Sequence, residues 1–276
     1  LARVCNLHAN LTLAKRQVSV LVELMLSWSF NLFRIRGIQL AVHSSFVLLL
    51  AYIAYQGWQA GQLTGLIWSL LTILAFFACV VAHELGHSFA ARHYGVGVHR
   101  ILLMPIGGMA EFDSIPREPS KELVITFAGP AVNFVIAALL WWPVTRFPNQ
   151  IYYYSFQGLV YQLLYANVVM GIFNLAPVFP MDGGRILRAL LATKFTYLRA
   201  TYWASMIGKV LAVIGILVMA FWVESLLGAV LFGFILMAGE SEYRAVKRRE
   251  VEDAHWREMV ARHYASRHQA PPVIDV

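Results

Sequence analysis

From about residue 40 the chain alternates long apolar runs with short polar breaks, and that rhythm sets the elements it predicts. A membrane-crossing helix needs about 20 mostly apolar residues. About six runs meet or approach this length: 40–57, 64–90, 122–143, 157–177, 201–222 and 225–239. A shorter helix is predicted over 183–194. Residues 95–113, GVGVHRILLMPIGGMAEFD, break the pattern. Their glycines, with Pro105 and the pair Gly107-Gly108, predict a short β-hairpin or re-entrant loop. Such backbone at membrane depth has to be covered by protein or line a wet cavity. The fold class that follows is an all-α polytopic membrane protein of about six transmembrane helices with a short re-entrant or β-hairpin segment. Residues 37–240 form the transmembrane domain, 1–36 an N-terminal cytoplasmic segment, and 241–276 a charged cytoplasmic tail of helical spacing that ends at Pro271-Pro272. Residues 1–24 are weakly patterned and show no clear signal peptide. Met25 reads as the natural start.

Composition agrees with this picture. Hydrophobic residues make up 59% of the 276 positions and charged residues 13%, against about 45–50% and about 25% in soluble domains. Between residues 40 and 90 the acidic, basic and histidine side chains are His43, His83, Glu84 and His87 alone. The net charge of +7 is carried at the ends of apolar runs. No basic stripe is interleaved with aromatics, so a nucleic-acid surface is excluded. Two cysteines, Cys5 and Cys79, give neither a disulfide framework nor a cysteine-based zinc site.

The basic residues also orient the chain. One set of flanks carries Arg34, Arg36, Arg92, Arg100, Arg117, Lys121, Arg185, Arg188, Lys194, Arg199, Arg244, Lys247, Arg248 and Arg249, and the other carries Arg146. By the positive-inside rule both termini are cytoplasmic, in a multi-pass protein of the cell membrane.

The candidate chemistry starts at His83-Glu84-Leu85-Gly86-His87, an HExxH motif. On a helix the two histidines share one face, about 6 Å apart, and both can reach one zinc ion. Glu84 beside them is placed to take a proton from zinc-bound water. A catalytic zinc has three protein ligands and one open position. The third candidate is Asp182, the only aspartate between Asp113 and Asp253. The charge-derived topology brings it to the same membrane depth as the histidines. Its competing reading is the N-cap of the 183–194 helix. Cys79 reads as a small core residue, His43 as a histidine hydrogen-bonded to a neighbouring helix, and His93 and His99 as solvated. Asn133 either orients a zinc ligand or ties two helices together. Gly183 and Gly184 permit a tight approach.

HELGH in an early span, a Gly-Gly loop after it, AGPAVNF at 128–134 and NLAPVFPMDGGR at 174–185 together resemble the site-2 protease family of intramembrane metalloproteases, over roughly residues 30–240. Within it the chain is similar to the sporulation factor protease group, and His43 in AVHSSF is similar to that group's first-span signature. The resemblance implies one Zn2+ per chain, with His83, His87 and Asp182 as ligands and Glu84 as general base. It also implies that Asn174 lies close to the zinc, where it is a candidate oxyanion donor. Its expected partners are a transmembrane protein substrate and the lipid bilayer. The substrate helix has to unwind to be cut, and the 101–112 strand offers an edge to bind it in extended form. Larger members carry a PDZ insertion and a CBS domain; neither is expected here. Two other functions stay open: a non-catalytic relative that binds membrane segments, and a metal transporter using the same residues.

Overall fold

The computed structural model describes residues 28–113, 116–146 and 153–267. The expectations for residues 1–24, Cys5 and Pro271-Pro272 fall outside them. The order of elements is β1 (Ser29–Ile35), β2 (Ile38–His43), α1 (Ser45–His93), β3 (Val98–Met104), β4 (Gly107–Phe112), α2 (Pro119–Val144), α3 (Phe156–Asn174), α4 (Asp182–Ala192), α5 (Tyr197–Phe221) and α6 (Leu226–Arg267). The fold is mostly helical with one small sheet. Among the described residues five helices, α1, α2, α3, α5 and α6, are long and apolar enough to cross a membrane.

The chain divides into two compact units. The first holds residues up to 116 together with 127–172; the second holds 117–126 and everything from 173 on.

In the first unit the four strands lie in the order β1-β2-β3-β4. The β1/β2 and β3/β4 pairs are antiparallel, and β2/β3 is parallel. The hairpin predicted within 95–113 is present as β3 and β4, turning at Pro105-Ile106. The first apolar run was expected to be helical from residue 40; instead 38–43 are a strand and the helix begins at Ser45. A short apolar run carries no periodicity that separates a buried strand from a helix start. Here β2 is taken into the sheet on both sides, and Ile38, Leu40 and Ala41 are buried, as are Ile101, Leu102 and Leu103 of β3.

The 49 residues of α1 are two helices. Gly61 (φ −154°, ψ 22°) and Gln62 (φ 49°, ψ −133°) leave helical geometry, and the arms fold back on each other. A Cβ on Gly65 would fall 2.1 Å from the carbonyl oxygen of Gly57, a contact impossible along one straight helix. The break sits where the sequence put the loop between its first two spans. The outward faces are apolar: Leu48, Tyr52, Leu63, Leu139, Trp142 and Tyr165 are exposed, as side chains against lipid are.

The second unit is built on the long helices α5 and α6 with the short α4 packed against α5. Val178, Ala212 and Ile235 form its apolar centre, and Ser205 Oγ donates to the Gly239 carbonyl at 2.8 Å. Helix α6 runs unbroken through residue 240, so the tail from 241 continues a helix. At a rise of about 1.5 Å per residue it is about 63 Å long.

Candidate metal centre

His83 and His87 lie one turn apart in the second arm of α1, both buried. Their Nε2 atoms face each other at 3.1 Å. The other ring nitrogen of His83, Nδ1, is 2.5 Å from Asn133 Oδ1 on α2. Asn133 Nδ2 donates in turn to Asn167 Oδ1 on α3 at 2.9 Å, and Asn167 Nδ2 donates to the Leu163 carbonyl at 2.8 Å. The chain of donors fixes the tautomer. With Nδ2 of Asn133 spent on Asn167, its oxygen can only accept, so His83 Nδ1 carries the proton and Nε2 keeps its lone pair for a metal. Asn133 and Asn167 are both fully buried. Of the two readings of Asn133 the geometry contains both: it orients His83 and ties α2 to α3. Asn167 was missed in the sequence; the signal was an amide in the middle of an apolar run, which has to find a partner.

The imidazole of His87 is accommodated by an absence. Gly129 of α2 lies so close that a Cβ there would sit 2.2 Å from His87 Nε2. Glu84 is half-buried, and its Cγ would be 2.7 Å from a Cβ on Gly108 of β4. A side chain at 108 would displace the glutamate, so the strand's backbone passes directly against it.

Asp182 is the first residue of α4; Met181, not Asp182, occupies the N-cap position. The local fold is tight, because a Cβ on Gly183 would fall 2.2 Å from the carbonyl oxygens of Leu175 and Ala176. The aspartate is thus presented at the helix start by a loop that the next residue's missing side chain allows. Among the described residues, His83 and His87 of the first unit and Asp182 of the second each offer one ligand atom of a kind that holds a metal ion. Two imidazoles and a carboxylate are a donor set suited to catalytic zinc.

Of the remaining candidates, Asn174 closes α3 and is half-buried. Cys79 is a free, half-buried thiol outside the ligand group. His43 is not in a span: at the end of β2 its Nδ1 accepts from Ser45 N–H at 3.2 Å and lies 2.7 Å from Ser45 Oγ. It ties strand to helix start. His93 and His99 are exposed.

A second buried polar cluster, unforeseen from the sequence, lies in the second unit. Arg188 of α4 donates through Nε and Nη2 to Glu122 Oε1 at 2.9 and 2.5 Å, and through Nη1 to Glu242 Oε1 at 2.7 Å. Its guanidinium lies over the rings of Phe179 and Tyr197, 5.4 and 5.0 Å from their centroids. Burial is the strongest single influence and works against the Arg188 charge, but Glu122, Tyr197 and Glu242 together outweigh it and hold the guanidinium above its ordinary pKa.

Residues 71–151 and 143–215 match peptidase family M50. The chain is 42% identical over 224 residues to the zinc metalloprotease MJ0392 of Methanocaldococcus jannaschii, covering 80% of this chain and 62% of that protein. It is 28% identical over 141 residues to stage IV sporulation protein FB of Bacillus subtilis, covering 51% and 46%. The chain therefore spans between about half and three fifths of the length of these curated relatives. Among solved structures it is similar to the site-2 protease from Methanocaldococcus jannaschii, with a TM-score of 0.56 and 37% identity over 78% of this chain and 95% of that one.

Proposed function

This chain belongs to peptidase family M50, and from that premise we propose that it is an intramembrane zinc metalloendopeptidase hydrolysing peptide bonds in or near the transmembrane segments of membrane-protein substrates. The observation that carries the reading is the buried pair His83 and His87, their Nε2 atoms 3.1 Å apart, beside Glu84 in a helix apolar enough to cross a membrane, with Asp182 as the third ligand. In this reading those three residues hold one Zn2+. When bound, the ion supplies Lewis acidity at the scissile carbonyl and acidifies water at its open position.

The chain's own groups do the rest. Asn133 holds His83 in the tautomer whose Nε2 lone pair can coordinate the metal. Glu84 takes the proton of the attacking water and returns it to the leaving amine. Asn174 donates to the developing oxyanion. The substrate segment unwinds and pairs along β4, the edge strand whose backbone at Gly108 touches Glu84. The chain crosses the membrane six times, the break at 61–62 dividing α1 into two passes. Residues 37–240 are the protease domain, 1–36 and 241–276 are cytoplasmic, and the cut falls in the cytoplasmic half of the substrate span.

Cleavage of a single-span model substrate by the E84Q variant tests the activity. Loss of proton transfer costs about 10²–10⁴-fold in rate, with zinc content unchanged. Turnover within a few-fold of the unmodified protein would remove Glu84 from the mechanism, whereas no cleavage by either protein would leave one that binds membrane segments without cutting them. Orientation is tested with single cysteines read by an impermeant thiol reagent on intact cells. Gln59→Cys should label, and Glu118→Cys and Lys194→Cys should not; the reverse pattern inverts the topology.

A further inference from the structure

Where the β1–β2 turn, the last turn of α1 and the start of β3 meet, a cavity of about 420 Å³ is lined by Arg34, Gly37, Gln39, Arg92, Gly97 and His99. None of these residues takes part in the metal centre. The lining is basic and rich in hydrogen-bond donors. Arg34 Nε donates to Gln39 Oε1 at 3.0 Å, and Gln39 Nε2 donates to the carbonyls of Phe33 and Leu40. The pair is thereby fixed with the terminal nitrogens of Arg34 left for a ligand. Arg92 Nη1 donates to the carbonyl of Arg36, and a Cβ on Gly37 would lie 3.4 Å from Arg92 Nη2. The second guanidinium is thus laid across the hairpin turn, whose residues Arg36 and Gly37 both have positive φ. The carboxylate of Asp113 is bonded to His99 Nε2 at 2.5 Å and fills the space above Gly97.

Two arginines converging on a small polar cavity match the tetrahedral oxyanion of a phosphate group. The source of that phosphate is indicated by β1. Next to Arg34 it exposes Phe30, Leu32 and Phe33, with Trp28 just before it, at 53–68% of their surface. Exposed aromatics beside arginines at the end of a membrane-length helix are the arrangement of the headgroup layer. We propose that this cavity binds the phosphate of an anionic glycerophospholipid, gripped by Arg34 and Arg92 while the apolar residues of β1 lie in the interfacial layer. The site rests on the membrane reading above and is independent of catalysis.

Native mass spectrometry of the full chain in detergent, with phosphatidylglycerol or phosphatidylcholine added, tests it. The unmodified protein should retain phosphatidylglycerol in preference to phosphatidylcholine. Each arginine at an anionic surface is worth about fivefold in affinity, so R34Q should lose about fivefold and R34Q/R92Q about 25-fold, with zinc content unchanged. Should the double variant not fold, the exposed Arg34 decides through R34Q alone. R248Q, which removes an exposed charge on α6, should bind as the unmodified protein does. Unchanged phosphatidylglycerol binding in R34Q overturns the proposal, and so does an equal loss in R248Q. Displacement by inorganic phosphate with no preference between the two lipids makes the cavity a small-anion site and overturns the lipid assignment.

Discussion

In the first unit a polar chain runs from His83 through Asn133 to Asn167 and ends on the Leu163 carbonyl. In the second, Arg188 is ringed by Glu122, Glu242, Tyr197 and Phe179. Both are buried in apolar surroundings, and both join three or more helices. They differ in what they do with charge and with valency. The amide chain is neutral, so it orients an imidazole without altering its charge, and it leaves one nitrogen of that imidazole pointing at another. The arginine cluster spends guanidinium donors on two carboxylates and sets the cation over two aromatic rings. It joins charged groups across four helices, with one oxygen of Glu122, Oε2, left without a hydrogen bond, whereas the amide chain ends on an imidazole of a kind that ligates metals.

Breaking the ligand set should have the largest effect. D182A leaves two ligands where three are needed, and zinc per chain should fall from about one toward zero on dialysis, measured by elemental analysis. A cap role would instead cost about 0.5–2 kcal/mol of stability with zinc retained. Next comes the ring. R188M strands Glu122 and Glu242 as uncompensated charges, an expected loss of about 3–5 kcal/mol, read by thermal unfolding in detergent. E122Q/R188M should recover part of it, and the zinc affinity of the folded fraction should not change. If R188M lowered zinc affinity at constant stability, the division between a structural and a chemical cluster would collapse. The smallest change sharpens the contrast from the other side. N133A should weaken zinc binding by about 10–100-fold through the freed tautomer and ring of His83, and a chelator titration measures it. An N133A protein of normal zinc affinity and reduced stability would assign the amide chain to packing alone.

How much of this could be read in advance follows the range of the interaction. HExxH is a local pattern, and its face is dictated by helical geometry. The β3–β4 hairpin announces itself by Pro105 and the glycines. The strand β1 did not. Its SFNLFRI run alternates but slips phase at Leu32-Phe33, where the pairing register shifts, and the turn that pairs it with β2 puts Arg36 at φ 48°, where Asn or Asp is the usual residue before glycine. Glu122 and Arg188 lie 66 positions apart, each at the charged end of an apolar run, and each reads as a solvated flank until the fold joins them. Asn167 was visible as an anomaly, but its partner was not. Asp182 was legible because it is alone over a long stretch; its position as first helical residue instead of cap depends on the carbonyls of Leu175 and Ala176 that crowd Gly183.

The parallel pairing of β2 with β3 carries a consequence for biosynthesis. Parallel neighbours cannot be joined by a tight turn, and here the whole of α1 intervenes between residues 43 and 98. As the chain emerges from the ribosome, β2 is made long before its partner exists, and one of its edges has nothing to bond until the helical hairpin has been threaded and its second arm has returned. Closure of the sheet is therefore a late event that reports on insertion. A chain whose hairpin fails to seat keeps an open strand edge, the feature by which quality-control factors and aggregates alike take hold of nascent proteins.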